Sequence, residues 1–135
     1  MRAVLDPNIL IAAMLSRTGT PAQLLSRWLA GEFELVASEA LITELERALA
    51  YPRLRARISP DEAANFVALL RGGAILAADP AEPEHRSADR GDDYLIALAE
   101  QERAVLVSGD KHLLALGAEL PIQTARAFLN KLAGA

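Results

Sequence analysis

Short apolar runs alternate with longer stretches of helical periodicity along nearly the whole chain, and this alternation restricts the fold more than any other feature. Residues 2–5, 33–37, 74–77 and 104–107 read as strands, with a weak fifth at Ile122. Between them, apolar residues recur at helical spacing, as in Leu41, Ile42, Leu45, Ala48 and Leu49. A strand, a helix and another strand in succession require a crossover, which produces parallel strands covered on both faces. The expectation is a three-layer α/β/α domain over residues 1–135, with a central parallel sheet of four to five strands.

Local punctuation fixes where the helices begin. Asp6-Pro7 opens a helix running to about Leu15, aspartate being a good N-cap and proline suiting the first helical position. Thr20-Pro21-Ala22-Gln23 has the form of a capping box, Ser38 can cap the next helix, and Ser59-Pro60-Asp61-Glu62 repeats the box with glutamate at its third position. Gly31 is a stop, Trp28 falls on the apolar face, and Tyr51-Pro52 ends the helix begun at Ser38. Residues 79–91 are polar and hold Pro80 and Pro83, which predicts a loop. Asp92-Asp93 then sits at the start of a helix to about Glu102, where negative charge is favoured. A short helix over 111–116 and a last one over 125–132 complete the reading.

Composition removes several functional classes. A hydrophobic fraction of 52% excludes a disordered chain. No apolar run approaches the roughly 20 residues of a membrane span, and the N-terminal segment does not read as a secretory signal. A cytoplasmic location without membrane association is therefore expected. Zero cysteines exclude disulfides, thiolate metal sites and cysteine nucleophiles, and the two histidines, His85 and His112, do not make a zinc site. The net charge of −4 speaks against a generally basic nucleic-acid binder. Local charge is another matter, since Arg47, Arg53, Arg55 and Arg57 cluster at a helix end and the loop after it. Their simplest reading is a solvated surface.

Four acids stand at the boundaries of elements. Asp6 follows the first strand in VLDPNIL, and Asp110 follows a late one in AVLVSGDKHLL. In an open parallel sheet, ligands bind beyond the carboxyl ends of the strands. Two carboxylates there, joined by Glu44 and Asp92 from helices, would offer hard oxygens to a divalent cation. Each acid also has a structural reading. Asp6 can cap with one oxygen while the other faces a metal, and Asn8 can support it by hydrogen bonding. Glu44 and Glu46 lie at opposite borders of the same apolar stripe, so periodicity does not choose between them. Asp92 and Asp93 are both ordinary helix-start residues. Ser108 can orient a neighbouring carboxylate, and Gly109 permits a tight turn before Asp110.

These motifs, taken in order, resemble those of the PIN domain family, in particular bacterial toxins of toxin–antitoxin systems related to VapC-type ribonucleases. VLDPNIL is similar to the first family motif, LITELERAL to the second with its acid at Glu44, SADRGDDYLIALA to the third with its acid at Asp92, and AVLVSGDKHLL to the fourth with Ser108 and Asp110. The first motif departs from the pattern at Pro7, where the family has a small hydroxyl residue. The doubled Asp92-Asp93 leaves the third position open by one residue.

The resemblance implies a Mg²⁺- or Mn²⁺-dependent ribonuclease that cleaves single-stranded RNA, with Asp6, Glu44, Asp92 and Asp110 as metal ligands and catalytic acids. Asn8, Asp93 and Ser108 would support them. With an RNA substrate, the local basic cluster gives Arg53, Arg55 and Arg57 as the residues that would guide the RNA backbone. The resemblance also implies a cognate antitoxin protein as partner and leaves room for a homodimer. Two other readings remain at this point: a non-catalytic PIN-type module that binds RNA or antitoxin, and a receiver-like phosphoacceptor domain. The receiver reading lacks a second acid beside Asp6.

Overall fold

The computed structural model describes residues 1–81, 85 and 90–134. Five strands form one parallel sheet: β1 (Arg2–Leu5), β2 (Glu34–Ala37), β3 (Ile75–Leu76), β4 (Val105–Val107) and β5 (Ile122–Gln123). Their spatial order is β3-β2-β1-β4-β5. The chain therefore builds outward from β1 to β3, then returns to the other side of β1 with β4. This order is not the 2-1-3-4-5 arrangement of receiver-type folds. It places a topological switch point between β1 and β4, where a ligand crevice is expected at the carboxyl ends of the strands.

Helices cover both faces of the sheet. On one side α1 (Pro7–Leu15), α2 (Thr20–Leu29), α3 (Glu39–Leu49) and α5 (Pro60–Gly73) pack on one another. On the other, α6 (Asp93–Gln101) packs on β1 and β4. Right-handed crossovers account for the division, because reversing direction at β1 moves the connecting helix to the opposite face. Leu5, Leu10, Leu24, Leu41, Ile42, Leu45 and Leu95 are all at most 1% exposed. Burying each such side chain contributes roughly 1.5–3 kcal/mol. Trp28 is also buried, and its ring lies over Gly73, where an added Cβ would come within 2.9 Å of the indole. The closing helix α8 (Ala125–Gly134) inserts Phe128, which meets Phe33 edge-on with centroids 5.1 Å apart. Among the described residues no helix is long and apolar enough to cross a membrane.

Element ends follow the side-chain chemistry with two exceptions. The Ser59 box forms in full: Ser59 Oγ accepts from the Glu62 N–H at 3.1 Å, and Glu62 Oε1 accepts from the Ser59 N–H at 3.2 Å. Ser38 likewise caps α3, and Gly31 ends α2 with φ +79°. The box expected at Thr20 is absent. Gly19 occupies the N-cap, Thr20 is already helical, and its hydroxyl accepts from Arg126 Nη2 at 3.1 Å. The second exception is α4 (Pro52–Arg55), a single turn where a loop was expected. Pro52 presets its first φ and the buried Leu54 anchors it. The strand expected over 74–77 pairs only at Ile75–Leu76, and the helix expected over 111–116 is α7 (Lys111–Leu114). Much of the expected 79–91 loop, including Pro83 and Asp89, lies outside the described residues.

The formed box and the absent one make a direct comparison. Ser59→Ala should lower unfolding free energy by about 1 kcal/mol through loss of the box. Thr20→Ala, which removes only an exposed bond, should cost less than about 0.5 kcal/mol. Urea unfolding of both variants measures the contrast, and equal losses would contradict it.

Candidate active site

The backbone ladder between β1 and β4 brings the first acid to the sheet edge. Leu5 pairs with Val107, and the Asp6 N–H donates to the Val107 carbonyl at 3.0 Å. The next residues out, Asp6 and Ser108, consequently leave the sheet side by side. Ser108 Oγ donates to Asp6 Oδ2 at 2.8 Å and accepts from the Asp110 N–H at 3.0 Å. Asp6 Oδ1 accepts from the Asn8 N–H at 3.0 Å, capping α1. One carboxylate thus both caps the helix and is held by the serine. Pro7 is the first residue of α1 and is buried, so its missing N–H falls where a helix has no internal acceptor.

Asp110 caps the short α7, its Oδ1 accepting from the N–H groups of His112 at 2.7 Å and Leu113 at 3.4 Å. Its negative charge reaches Asp6, whose carboxyl is held above the ordinary 3.8, first by burial and in smaller part by this repulsion. The hydrogen bonds from Asn8 and Ser108 oppose that rise.

Glu44 and Glu46 have different surroundings. Glu44 is half-buried and Glu46 exposed. Tyr94, in the first turn of α6, donates its phenolic O–H to Glu44 Oε2. Burial is the largest cause holding the Tyr94 hydroxyl strongly toward its neutral form, followed by the Glu44 bond and the charges of Glu44, Asp6 and Asp92. Tyr94 therefore senses three of the four acids at once. Glu46 instead lines a separate groove with Leu49 and Arg55. Sequence reading overlooked Tyr94, because its partner lies 50 positions away and no local pattern records the pairing.

Asp92 closes a 3-10 turn at the start of α6 and is half-buried. Asp93 is 4% exposed, and its Oδ2 lies 3.0 Å from His85 Nδ1. The neighbouring aspartates thus differ: Asp93 is engaged by the histidine, and Asp92 acts electrostatically on Tyr94. The Asn8 side chain is exposed and lines a groove with Arg53 and Arg57, whereas Arg55 lies on the Glu46 side. A cleft beside Glu44 and Tyr94 is lined in addition by Thr43, Arg47 and Gly91. Among the described residues no three His, Asp or Glu side chains converge into a ready-made ion cage. The donors are nonetheless all hard oxygens, linked through Ser108, Tyr94 and mutual charge. Such a set suits a cation that retains much of its water.

A parallel sheet with a switch point at β1 and β4, and with Asp6 and Asp110 linked through Ser108 at its edge, defines an open α/β domain. The sequence profile of the PIN domain matches residues 2–112. The chain belongs to the PIN domain family. Among solved structures, PAE2754 from Pyrobaculum aerophilum is similar over 100% of this chain and 91% of its own, with TM-score 0.69 and 19% identity. VapBC2 from Rickettsia felis, solved bound to a DNA fragment from their promoter, is similar over 92% of this chain and 98% of its own, with TM-score 0.65 and 14% identity. VapBC-1 from nontypeable Haemophilus influenzae is similar over 93% and 99%, with TM-score 0.63 and 19% identity. At these identities the likeness establishes the fold alone. No curated protein sequence matches the chain.

The buried carboxylate sets a stability test. The Asp6 carboxyl titrates above 3.8 in the folded chain, so its ionised form weakens the fold as pH rises through the folded value. Asp6→Asn can keep the cap while removing the charge. In chelator at neutral pH it should melt above wild type, with the difference shrinking as pH falls from the raised folded value toward 3.8. Ser108→Ala should melt lower, since it strips a bond from a buried oxygen at a cost of about 1–3 kcal/mol. Calorimetric scans against pH read both effects, and a lower melting point for Asp6→Asn at neutral pH would contradict the first.

Proposed function

We propose that this protein is a metal-dependent endoribonuclease that cuts single-stranded RNA, and that it is the toxin of a toxin–antitoxin pair. The observation that carries the reading is the meeting of Asp6 and Asp110 at the switch point of a PIN domain, coupled through Ser108. Asp6, Glu44, Asp92 and Asp110 would hold Mg²⁺ or Mn²⁺, directly or through water, and Asn8, Asp93 and Ser108 would support them. A bound cation of this kind supplies Lewis acidity toward the phosphate and lowers the cost of activating water.

The chain's own residues have distinct parts in this reading. Ser108 holds Asp6 in one orientation, so the buried carboxylate need not reorganise when substrate arrives. Tyr94 does the same for Glu44 from the facing helix. Because the Tyr94 hydroxyl stays neutral, it donates to the carboxylate without adding negative charge. The four site acids carry a formal −4, equal to the net charge of the whole chain. Cation binding would therefore remove the main electrostatic obstacle to an RNA phosphate. The similarity to two VapBC structures supports an antitoxin as partner.

Purified protein freed of any partner should cleave single-stranded RNA with Mn²⁺ or Mg²⁺ and stop in EDTA. Asp6→Asn and Asp110→Asn should each lower cleavage at least about 100-fold while circular dichroism reports a folded chain. Glu44→Gln should be impaired and Glu46→Gln close to wild type. Cleavage that survives Asp6→Asn, or that depends on Glu46 rather than Glu44, would contradict the assignment. Metal-loaded protein that cuts no RNA would favour a binding module instead.

A further inference from the structure

A large aromatic ring stands unexpectedly in solvent next to two uncommitted cations. Tyr51 is 58% exposed, at the junction of α3 and α4. Its backbone supplies the N-cap of α4, but its side chain makes no capping bond, so no local structural role accounts for the ring. Arg53 and Arg57 are exposed, and among the described residues neither makes an ion pair. All three line one groove of about 330 Å³, whose wall is Ile11, Leu15, Ala48 and Leu54.

The groove also includes near neighbours of two acids. Its remaining lining residue is Asn8, whose backbone N–H is bonded to Asp6. Ala48 lies one helical turn beyond Glu44 on the same side of α3. The groove thus joins residues adjoining Asp6 and Glu44 to an exposed aromatic ring and two guanidinium groups. Exposed aromatic rings combined with basic groups along a groove are what single-stranded nucleic acid requires, the rings meeting bases and the cations meeting phosphates.

We propose that Tyr51, Arg53 and Arg57 form a docking platform for the RNA strand flanking the cleavage point, the Tyr51 ring stacking on a base and the arginines holding adjoining phosphates. This rests on the ribonuclease reading for the identity of the strand. Arg55, which faces the Glu46 groove, is outside the platform.

The test is binding of a labelled single-stranded RNA in EDTA, where no cut occurs, with an abasic strand of equal length as control. Tyr51→Ala should weaken binding of the base-bearing strand about tenfold and leave the abasic strand unaffected. Tyr51→Phe should bind as wild type. Joint Arg53→Ala and Arg57→Ala should weaken both strands and reduce the salt slope by about 1.4, at about 0.7 per phosphate contact. Arg55→Ala should change neither. Melting temperatures should stay at the wild-type value, since each side chain is exposed. Equal RNA affinity in wild type and Tyr51→Ala overturns the platform, as does wild type with no measurable RNA affinity. Unchanged RNA binding with a shift from dimer to monomer in light scattering would assign the surface to a second copy of the chain and likewise overturn it. Cleavage with Mn²⁺ is measured alongside. Cutting that persists while Tyr51→Ala binds normally removes the platform alone, and absent cutting with the predicted binding losses removes the ribonuclease reading alone.

Discussion

The pairing of β1 with β4 holds the whole arrangement. With Leu5 opposite Val107, the backbone N–H of Asp6 is committed to the Val107 carbonyl, and Asp6 and Ser108 emerge as neighbours. A slip of one residue would turn every β4 side chain to the other face of the sheet. Leu106 and Val107 are both fully buried, one toward each face, so such a slip would force the core on both sides of the sheet to repack. The sheet order adds the second condition. Because the chain reverses direction at β1, no crossover helix lies across the gap between β1 and β4 at that edge.

Around this pair, two of the acids are tied to elements other than those that carry them. Ser108 of the β4 edge holds Asp6, and Tyr94 of α6 holds Glu44 of α3. Helices from opposite faces of the sheet therefore meet through the Tyr94–Glu44 bond. The raised carboxyl of Asp6 records what this arrangement costs in the absence of a counter-charge. Charge that weakens the isolated fold is common where function needs it.

Where the code is local, the sequence was readable. Asp6-Pro7 and the apolar run behind it gave α1 its observed bounds, and Ser59 with Glu62 gave a complete box. The Thr20 box had the same residue grammar but did not form, because the helix begins one residue earlier with Gly19 at the N-cap, and the Thr20 hydroxyl meets Arg126, 106 positions away. Single-turn α4 was missed because four residues carry too little periodicity, and Leu54 burial decides it. The same limit applies at the site. Asp6, Asp110 and Ser108 could be placed at a sheet edge from strand ends alone. The different surroundings of Glu44 and Glu46 depend on Tyr94, and those of Asp92 and Asp93 on His85, contacts that no helical wheel contains.

The outermost strands have a consequence for how this molecule can meet others. β3 and β5 are each two residues long, so each free edge offers only a fragment of a hydrogen-bonding ladder. An incoming strand would find too few backbone partners to lengthen the sheet, which guards against edge-to-edge self-association. Recognition is thereby left to side chains on helices and turns. These can change from one relative to another without disturbing the sheet, so a fold of this kind can keep its acidic centre while exchanging the company it keeps.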